Sequence, residues 1–432
     1  MANVLFLTQV LPYPLDAGPK VRAYYMLRHL AQQHDVTLVS FVRSDDRPDA
    51  LAHLRSICTA VHVAPMQRSA WRNLMAGAKG LLTGLPIVIA RDEMPEMAAL
   101  LRRLTRAAHF DVIHADQLSM SAWGLLAAET PFALRAPARF RDPGSPRLLL
   151  DEHNAIYLLA QRMADTESRP LRKIIMQREA RAFRLYEAAM LRAFDAVLTV
   201  TEEDRCHLLS LPAPDSSNLQ SPGLNLQSKI TPIPICVDPT RVAAVPRTSN
   251  GPPTVLHLGT MFWPPNVTGV VWFAHMVWPQ VRAQAPGARF VIVGKNPPAD
   301  VLALTNDPSI TVTGYVPDPT PYLAAADAFV VPLHAGGGMR VKILDAWLWG
   351  LPIVSTPIGA EGMALRDGEN ILLAADADAF AAATVRCLTD SALNARLRTA
   401  GRAWVETQYA WQVVYHRVDE IYQHLLVQSG VS

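Results

Sequence analysis

The chain has 432 residues, too many for one ordinary core and suited to two α/β domains of about 200 residues each. Half of the residues are hydrophobic and 18% are charged, which excludes a disordered chain. The formal charge of +2 excludes a generally basic nucleic-acid binder. The sign is nevertheless split: residues 1–236 hold 27 Lys+Arg against 23 Asp+Glu, or +4, and the remainder 13 against 15, or −2. The first half is therefore the one suited to an anionic surface.

Met1 to Val10 reads as a short buried strand rather than a signal peptide, because Pro12 and Pro14 follow at once. Short apolar runs then alternate with longer helical patterns, the signature of a parallel sheet covered by helices. Strands are expected at 4–8, 36–41, 112–114, 148–151 and 196–200, each a continuous apolar run, as in strands buried on both faces. Helices are expected at 21–32 and over the Arg-rich 174–193. Residues 211–228, rich in Pro, Ser and Asn, read as a surface insertion. Prolines 232, 234, 239 and 246 then mark a change of domain. The expected division is a first domain over 1–238, a linker over 239–253 and a second domain over 254–407. Strands in the second are expected at 254–258, 289–293, 310–313, 328–331 and 353–355. The tail, 408–427, reads as a helix that packs back on the first domain through Tyr409, Trp411, Tyr415 and Tyr422.

No charged residue occurs from 248 to 281, but five prolines interrupt that stretch, so it is not a spanning helix, which needs roughly 20 unbroken apolar residues. Cys58, Cys206, Cys236 and Cys387 are too far apart in sequence for a metal-ligand or CxxC motif and read as reduced core thiols of a cytoplasmic protein. Two doubly wound, Rossmann-like halves would leave a ligand cleft between the carboxyl ends of their strands.

The segment richest in chemistry follows the strand at 328–331. Gly336, Gly337 and Gly338 allow a close backbone approach, and Met339, Arg340, Lys342 and Asp345 open the next helix. A helix start with two cations in one turn suits a diphosphate, and the deeper Asp345 suits ribose hydroxyls. In the first half, Gly18, Lys20 and Arg22 follow the first strand. Their neutral alternative is a set of exposed first-turn cations. His114 and Asp116 end the strand near 112, and His153 and Asn154 follow the strand ending at Asp151.

The run from Gly336 to Gly362, with Gly350-Leu351-Pro352-Ile353-Val354 inside it, resembles the donor site of family 4 glycosyltransferases, retaining enzymes of the GT-B fold. Gly294 after its strand, Gly314-Tyr315-Val316, and Leu258-Gly259-Thr260 before Trp263-Pro264-Pro265-Asn266 are similar to further elements of that family. The resemblance is to the subgroup with a glycine-rich GxRxK motif. It implies transfer of a sugar from a nucleotide-diphosphate sugar to a glycan or lipid-linked acceptor, with no cofactor and no metal.

In that reading Arg340 and Lys342 carry the diphosphate, Asp345 the ribose and residues 314–316 the base. His114 and Asp116 approach the sugar, while Lys20, Arg22, His153 and Asn154 lie on the acceptor side. The family's E-x7-E motif is half present: Asp345 occupies the second acidic position and Gly337 the first. The alternatives are a nucleotide-sugar epimerase and a noncatalytic nucleotide-sugar binder. The paired Trp347 and Trp349 read as packing. The Arg-rich 169–192 reads as a solvated helix face that allows a peripheral contact with the inner membrane face.

Overall fold

The computed structural model describes residues 1–15, 18–44, 46–67, 69–129, 144–167, 169–211, 226–247, 251–336 and 338–428. The chain divides into two units, one of Met1–Cys236 with Val414–Ser432 and one of Val237–Val413. Each is a parallel sheet between helices, and the architecture is the expected GT-B type of α/β fold.

The first unit holds seven strands: β1 (Asn3–Thr8), β2 (Asp35–Val42), β3 (Ala60–Pro65), β4 (Val112–Asp116), β5 (Arg147–Asp151), β6 (Ala196–Thr199) and β7 (Ile230–Pro232). Their order is β3-β2-β1-β4-β5-β6-β7. The second holds β8 (Thr254–Leu258), β9 (Arg289–Val293), β10 (Ile310–Gly314), β11 (Ala328–Val331), β12 (Ile353–Ser355) and β13 (Leu372–Leu373), in the order β10-β9-β8-β11-β12-β13. Central strands are buried on both faces, as their mostly apolar, non-alternating sequences lead one to expect: β4, β6, β11 and β12 expose no residue. In each sheet the winding direction reverses beside the first strand, between β1 and β4 and between β8 and β11. The carboxyl ends of the strands at such a switch are where open α/β sheets take ligands.

Three strands lie outside the expected set: β3, β7 and β13. All are edges or short, and β3 is mostly half-buried, so none has the long apolar run that marks a central strand. The expected insertion at 211–228 falls largely on residues outside those described. The tail helix spans Trp411–Gln428, because Gln408 closes the preceding helix, Ser391–Gln408. It packs in the first unit through buried Tyr415, Val418, Tyr422 and Leu425. The Asp419 carboxylate meets His29 Nε2 at 2.7 Å, and Tyr415 OH donates to Arg22 O at 3.2 Å.

The segment expected as a linker over 239–253 is, in its described part, laid on the second unit. The Arg402 guanidinium donates to Val242 O at 2.8 Å and Pro239 O at 3.1 Å. Val245 N donates to Trp349 O at 3.0 Å, and Arg247 pairs with Asp327. A proline-rich run cannot pair its own backbone, so its carbonyls are free for arginines. Of the cysteines, Cys58, Cys236 and Cys387 are buried as expected, whereas Cys206 is exposed. Among the described residues no helix is long and apolar enough to cross a membrane.

Candidate active site

The second unit gathers its polar groups at the carboxyl ends of β8 to β11. Gly259 follows β8, Gly294 follows β9 and Gly314 ends β10. The loops after β8 and β9 nest together, so tightly at Gly294 that only glycine fits. A Cβ on Gly294 would lie 1.8 Å from Gly259 O, and one on Gly259 would lie 2.8 Å from Lys342 Nζ. Gly294 N donates to Gly314 O at 3.0 Å. Gly336 (φ 137°) and Gly338 (φ 71°) have backbone conformations that disfavour side chains. Gly336 also lets the Arg340 guanidinium come within 2.7 Å of where its Cβ would be. Gly337 lies outside the described residues.

Arg340 caps the helix Val341–Leu348 and is buried. Its Nη1 donates to Gly338 O at 2.7 Å and its Nη2 reaches toward Ile358 O at 3.4 Å. Lys342 Nζ donates to Asn266 Oδ1 at 2.8 Å, and Asn266 Nδ2 donates to Thr260 O at 2.9 Å. Burial, then the Arg340 charge, pushes the Lys342 ammonium down to about 7. Among the described residues no carboxylate lies within ion-pair distance of Lys342. Burial raises the Asp345 carboxyl to about 7.

Beneath them His257 Nδ1 donates to Val330 O at 2.9 Å, and its buried Nε2 has no hydrogen-bond partner. Burial, then Lys342, holds this imidazole well below its usual range. Met339 is buried, Tyr315 exposed and Val316 half-buried. Two cations thus stand near each other beside glycine backbone, a composition suited to an anion.

The first unit gathers a different set. Arg22 is not an exposed first-turn cation, nor free to meet an acceptor. It is fully buried, and its Nε and Nη2 donate to Asp151 at 2.9 and 2.6 Å. Its Nη1 donates to the carbonyls of Ile233 and Pro234. Burial is the largest single influence on Asp151 and opposes its charge, but Arg22 and then His153 together outweigh it and hold that carboxyl below its usual range.

His114 is likewise closed off from solvent. Its Nδ1 lies 2.8 Å from Tyr422 OH, and burial drives it down to about 3. It is a neutral strut between β4 and the tail helix rather than a group that meets a sugar. Asp116 Oδ1 accepts from His153 Nε2 at 2.9 Å, while Asp116 Oδ2 is buried without a hydrogen-bond partner among the described residues. His153 is the member of that pair with some surface, its side chain being 9% exposed. Asn154, Gly18 and Lys20 are half-buried.

Asp116, Asp151 and His153 each place one ligand atom within 4.8 Å of the others, a spacing that suits a metal ion. Arg22, however, already donates to both oxygens of Asp151, so a fixed cation stands where a metal's charge would be. One Asp-x-Asp occurs, at Asp376 and Asp378. Asp376 caps its helix by accepting from Ala379 N, and Asp378 accepts from Gln280 Nε2, so the pair serves a helix start.

Residues 252–390 match the family described as Glycosyl transferases group 1. The protein is a glycosyltransferase. It is 24% identical over 395 residues to an uncharacterized 44.6 kDa protein of the cps region of Klebsiella pneumoniae, covering 88% of this chain and 89% of that one. It is 30% identical over 139 residues to the lipopolysaccharide core biosynthesis glycosyltransferase LpsE of Rhizobium meliloti, covering 31% of this chain and 41% of that one. The glycosyltransferase thus spans only about two-fifths of LpsE. Its fold is that of Anabaena HepE, solved with UDP-glucose, at a TM-score of 0.62 and 13% identity over 98% of this chain and all of that one.

Several groups of this glycosyltransferase escaped sequence reasoning. Asn266 stands 76 residues before the lysine it holds, so no local motif joins them. Glu152 is fully buried against Glu187, and burial, then the Glu187 charge, raises it well above the usual range. Glu187 accepts from Ile156 N and Tyr157 N at 2.5 and 3.0 Å. Asp204 accepts from Ala155 N at 3.0 Å and from Thr201 Oγ1 at 2.6 Å. Two distant carboxylates thereby fix the loop that carries His153 and Asn154. The signal for Glu187 was present: of the two acids in an Arg-rich helix, it is the one set among the apolar residues Tyr186, Ala188 and Met190.

Proposed function

We propose that this glycosyltransferase moves a sugar from a nucleotide-diphosphate sugar to an acceptor hydroxyl with retention of anomeric configuration, in the synthesis of cell-envelope glycan. The observation that carries the reading is the Arg340–Lys342 pair beside the glycine turn, with no carboxylate among the described residues within ion-pair distance of Lys342. A departing nucleotide diphosphate gains negative charge in the transition state, and cations already in place stabilise it without reorganisation. In this reading Asp345 takes the ribose, residues 314–316 bracket the base, and the first unit selects the acceptor through His153 and Asn154. The reaction uses no cofactor.

The donor class is supported by relatives of this chain: HepE was solved with UDP-glucose, and a Corynebacterium glutamicum relative is named as a GDP-mannose-dependent mannosyltransferase. The envelope setting is supported by LpsE and by a capsular polysaccharide glycosyltransferase of Staphylococcus aureus. A lipid-linked acceptor fits a cytoplasmic enzyme working against the inner membrane face.

The test is a panel of UDP- and GDP-sugars, followed by release of free nucleotide. One donor should be turned over, and Arg340→Ala should slow it about a hundredfold, the loss expected for one preorganised contact at a developing anion. The anomeric coupling constant of the product by NMR then reads retention. A 2-epimer appearing as product, or full activity in Arg340→Ala, overturns the reading.

A further inference from the structure

The helix Ala70–Thr83 is amphipathic in the opposite sense to an ordinary surface helix. Its buried residues are the small ones, Ala76 and Gly80. Its large apolar residues recur at 71, 74, 75, 81 and 82, one helical face, and all of them stand in solvent. Trp71 is 67% exposed and Leu82 88%. The helix Pro170–Ala193 repeats the pattern near its start, where Leu171 (72% exposed), Ile174 and Ile175 are in solvent. On the helix Ile156–Thr166, Leu159 and Met163 are exposed as well.

The two longer helices touch: Arg178, which follows Ile174 and Ile175 by one turn, donates to Gly80 O beside Leu81 and Leu82. Leu81, Leu82, Ile174 and Ile175 therefore border one contact within the first unit, and the helix Ile156–Thr166 packs on the same long helix. A monomer does not leave so many large apolar groups together in water without a use.

The charges around them decide the occupant. Residues 70–83 hold Arg72 and Lys79 and no acid. Residues 156–193 hold eight Lys+Arg against four Asp+Glu. Arg169, Arg172, Arg181 and Arg184 are exposed. A second copy of this chain would set like charge against like charge, and a neutral apolar partner would leave these arginines unused. A bilayer with anionic headgroups satisfies both features, taking the apolar side chains at the acyl boundary and the guanidiniums at the phosphates.

We propose that helices 70–83 and 170–193, with the exposed side of 156–166, form a docking face for an anionic lipid bilayer. Trp71, Leu74, Leu81 and Leu82 insert, as do Leu171, Ile174 and Ile175, and the arginines hold headgroup phosphates. The inference rests on the transfer to a lipid-linked acceptor for its purpose, though its geometry is independent of that reading.

The experiment is co-sedimentation of the full chain with vesicles of phosphatidylcholine alone or with about one-third phosphatidylglycerol. Binding is expected only to the anionic vesicles. It should fall on the order of tenfold as salt rises from about 0.1 to 1 M, because the Debye length shrinks from about 10 to 3 Å. Leu74→Glu with Leu81→Glu, and separately Leu171→Glu with Ile174→Glu, should each abolish sedimentation while far-UV circular dichroism stays unchanged. Arg172→Gln with Arg181→Gln should weaken it and reduce its salt dependence.

No binding to anionic vesicles, or binding that survives both apolar variants, overturns the proposal, and so does a dimer that the same variants dissolve. Nucleotide release without vesicles reads the transferase separately, so a failure of one proposal leaves the other standing.

Discussion

A buried ammonium held by one amide oxygen, with a guanidinium nearby and no carboxylate among the described residues within ion-pair distance, gives up its proton easily. That is the position of Lys342, at about 7. At pH 8 a group with that value is roughly 90% neutral. A bound diphosphate brings the missing negative charge and draws the proton back. Nucleotide diphosphate binding at pH 8 should therefore take up close to one proton, read by calorimetry in buffers of different ionisation enthalpy. Lys342→Met should bind more weakly and take up none. A buffer-independent heat in the unaltered protein would remove Lys342 from the phosphate site. The linkage has a matching sign in stability: below pH 7 the lysine is charged in both states and the full burial penalty stands, and it is relieved as pH rises from 7 toward 10.5.

Arg22 sits at the other extreme, its charge fully matched by Asp151 and two carbonyls. Arg22→Met would leave the Asp151 carboxylate buried without its main partner, at a cost of about 3–5 kcal/mol. Urea unfolding followed in the first unit measures it. A loss below about 1 kcal/mol would mean that water reaches Asp151, and the acceptor-side role of Arg22 would reopen.

At the scale of elements, what was legible followed from burial. β1, β2, β4, β8, β9 and β11 are mostly apolar without strict alternation because both of their faces are largely covered, and such runs can be read without a partner. β3, β7 and β13 take their structure from a neighbouring strand, and their own residues hardly specify it. The same reasoning separates the two halves of the site. The glycine turn with Arg340 and Lys342 is local, within seven residues, and therefore visible. The Arg22–Asp151 pair spans 129 positions and the His114–Tyr422 contact 308, so only the fold reveals that these residues serve one another.

Glu187 is of the second kind. It holds the start of the helix Ile156–Thr166 from 30 and 31 residues away, and burial lifts it to about 7. Its folded value lies above its unfolded one. The folded state thus holds the extra proton between about pH 4.5 and 7, and stability falls as pH rises through that window. Glu187→Gln should flatten that slope and cost on the order of 1 kcal/mol at pH 5, because an amide replaces the acceptors of two backbone N–H groups. Melting curves from pH 4.5 to 8 would show it, and an unchanged slope would place the titrating proton on another group.

Over the whole chain, the second unit is an insertion: the first unit begins at Met1, breaks off at Cys236 and is completed only from Val414. The first unit must therefore wait for the tail. Tyr415, Val418, Tyr422 and Leu425 are all buried there, and full burial of one large apolar side chain contributes about 1.5–3 kcal/mol. Four of them approach the 5–15 kcal/mol that is the whole stability of an ordinary domain. Without the tail, His114 also loses Tyr422, and His29 loses Asp419. The core of the second unit, by contrast, is built from residues between Val255 and Leu397. A chain ending at Val413 should then lose protection in β1 and β4 while β8 and β11 keep theirs, measured by hydrogen exchange with peptide resolution. The truncated chain should still bind nucleotide diphosphate and turn nothing over. Equal protection of all four strands would mean that the first unit holds together without its last helix. Its stability would then rest on the 1–236 core alone, and the tail would be a cover rather than a part of the fold.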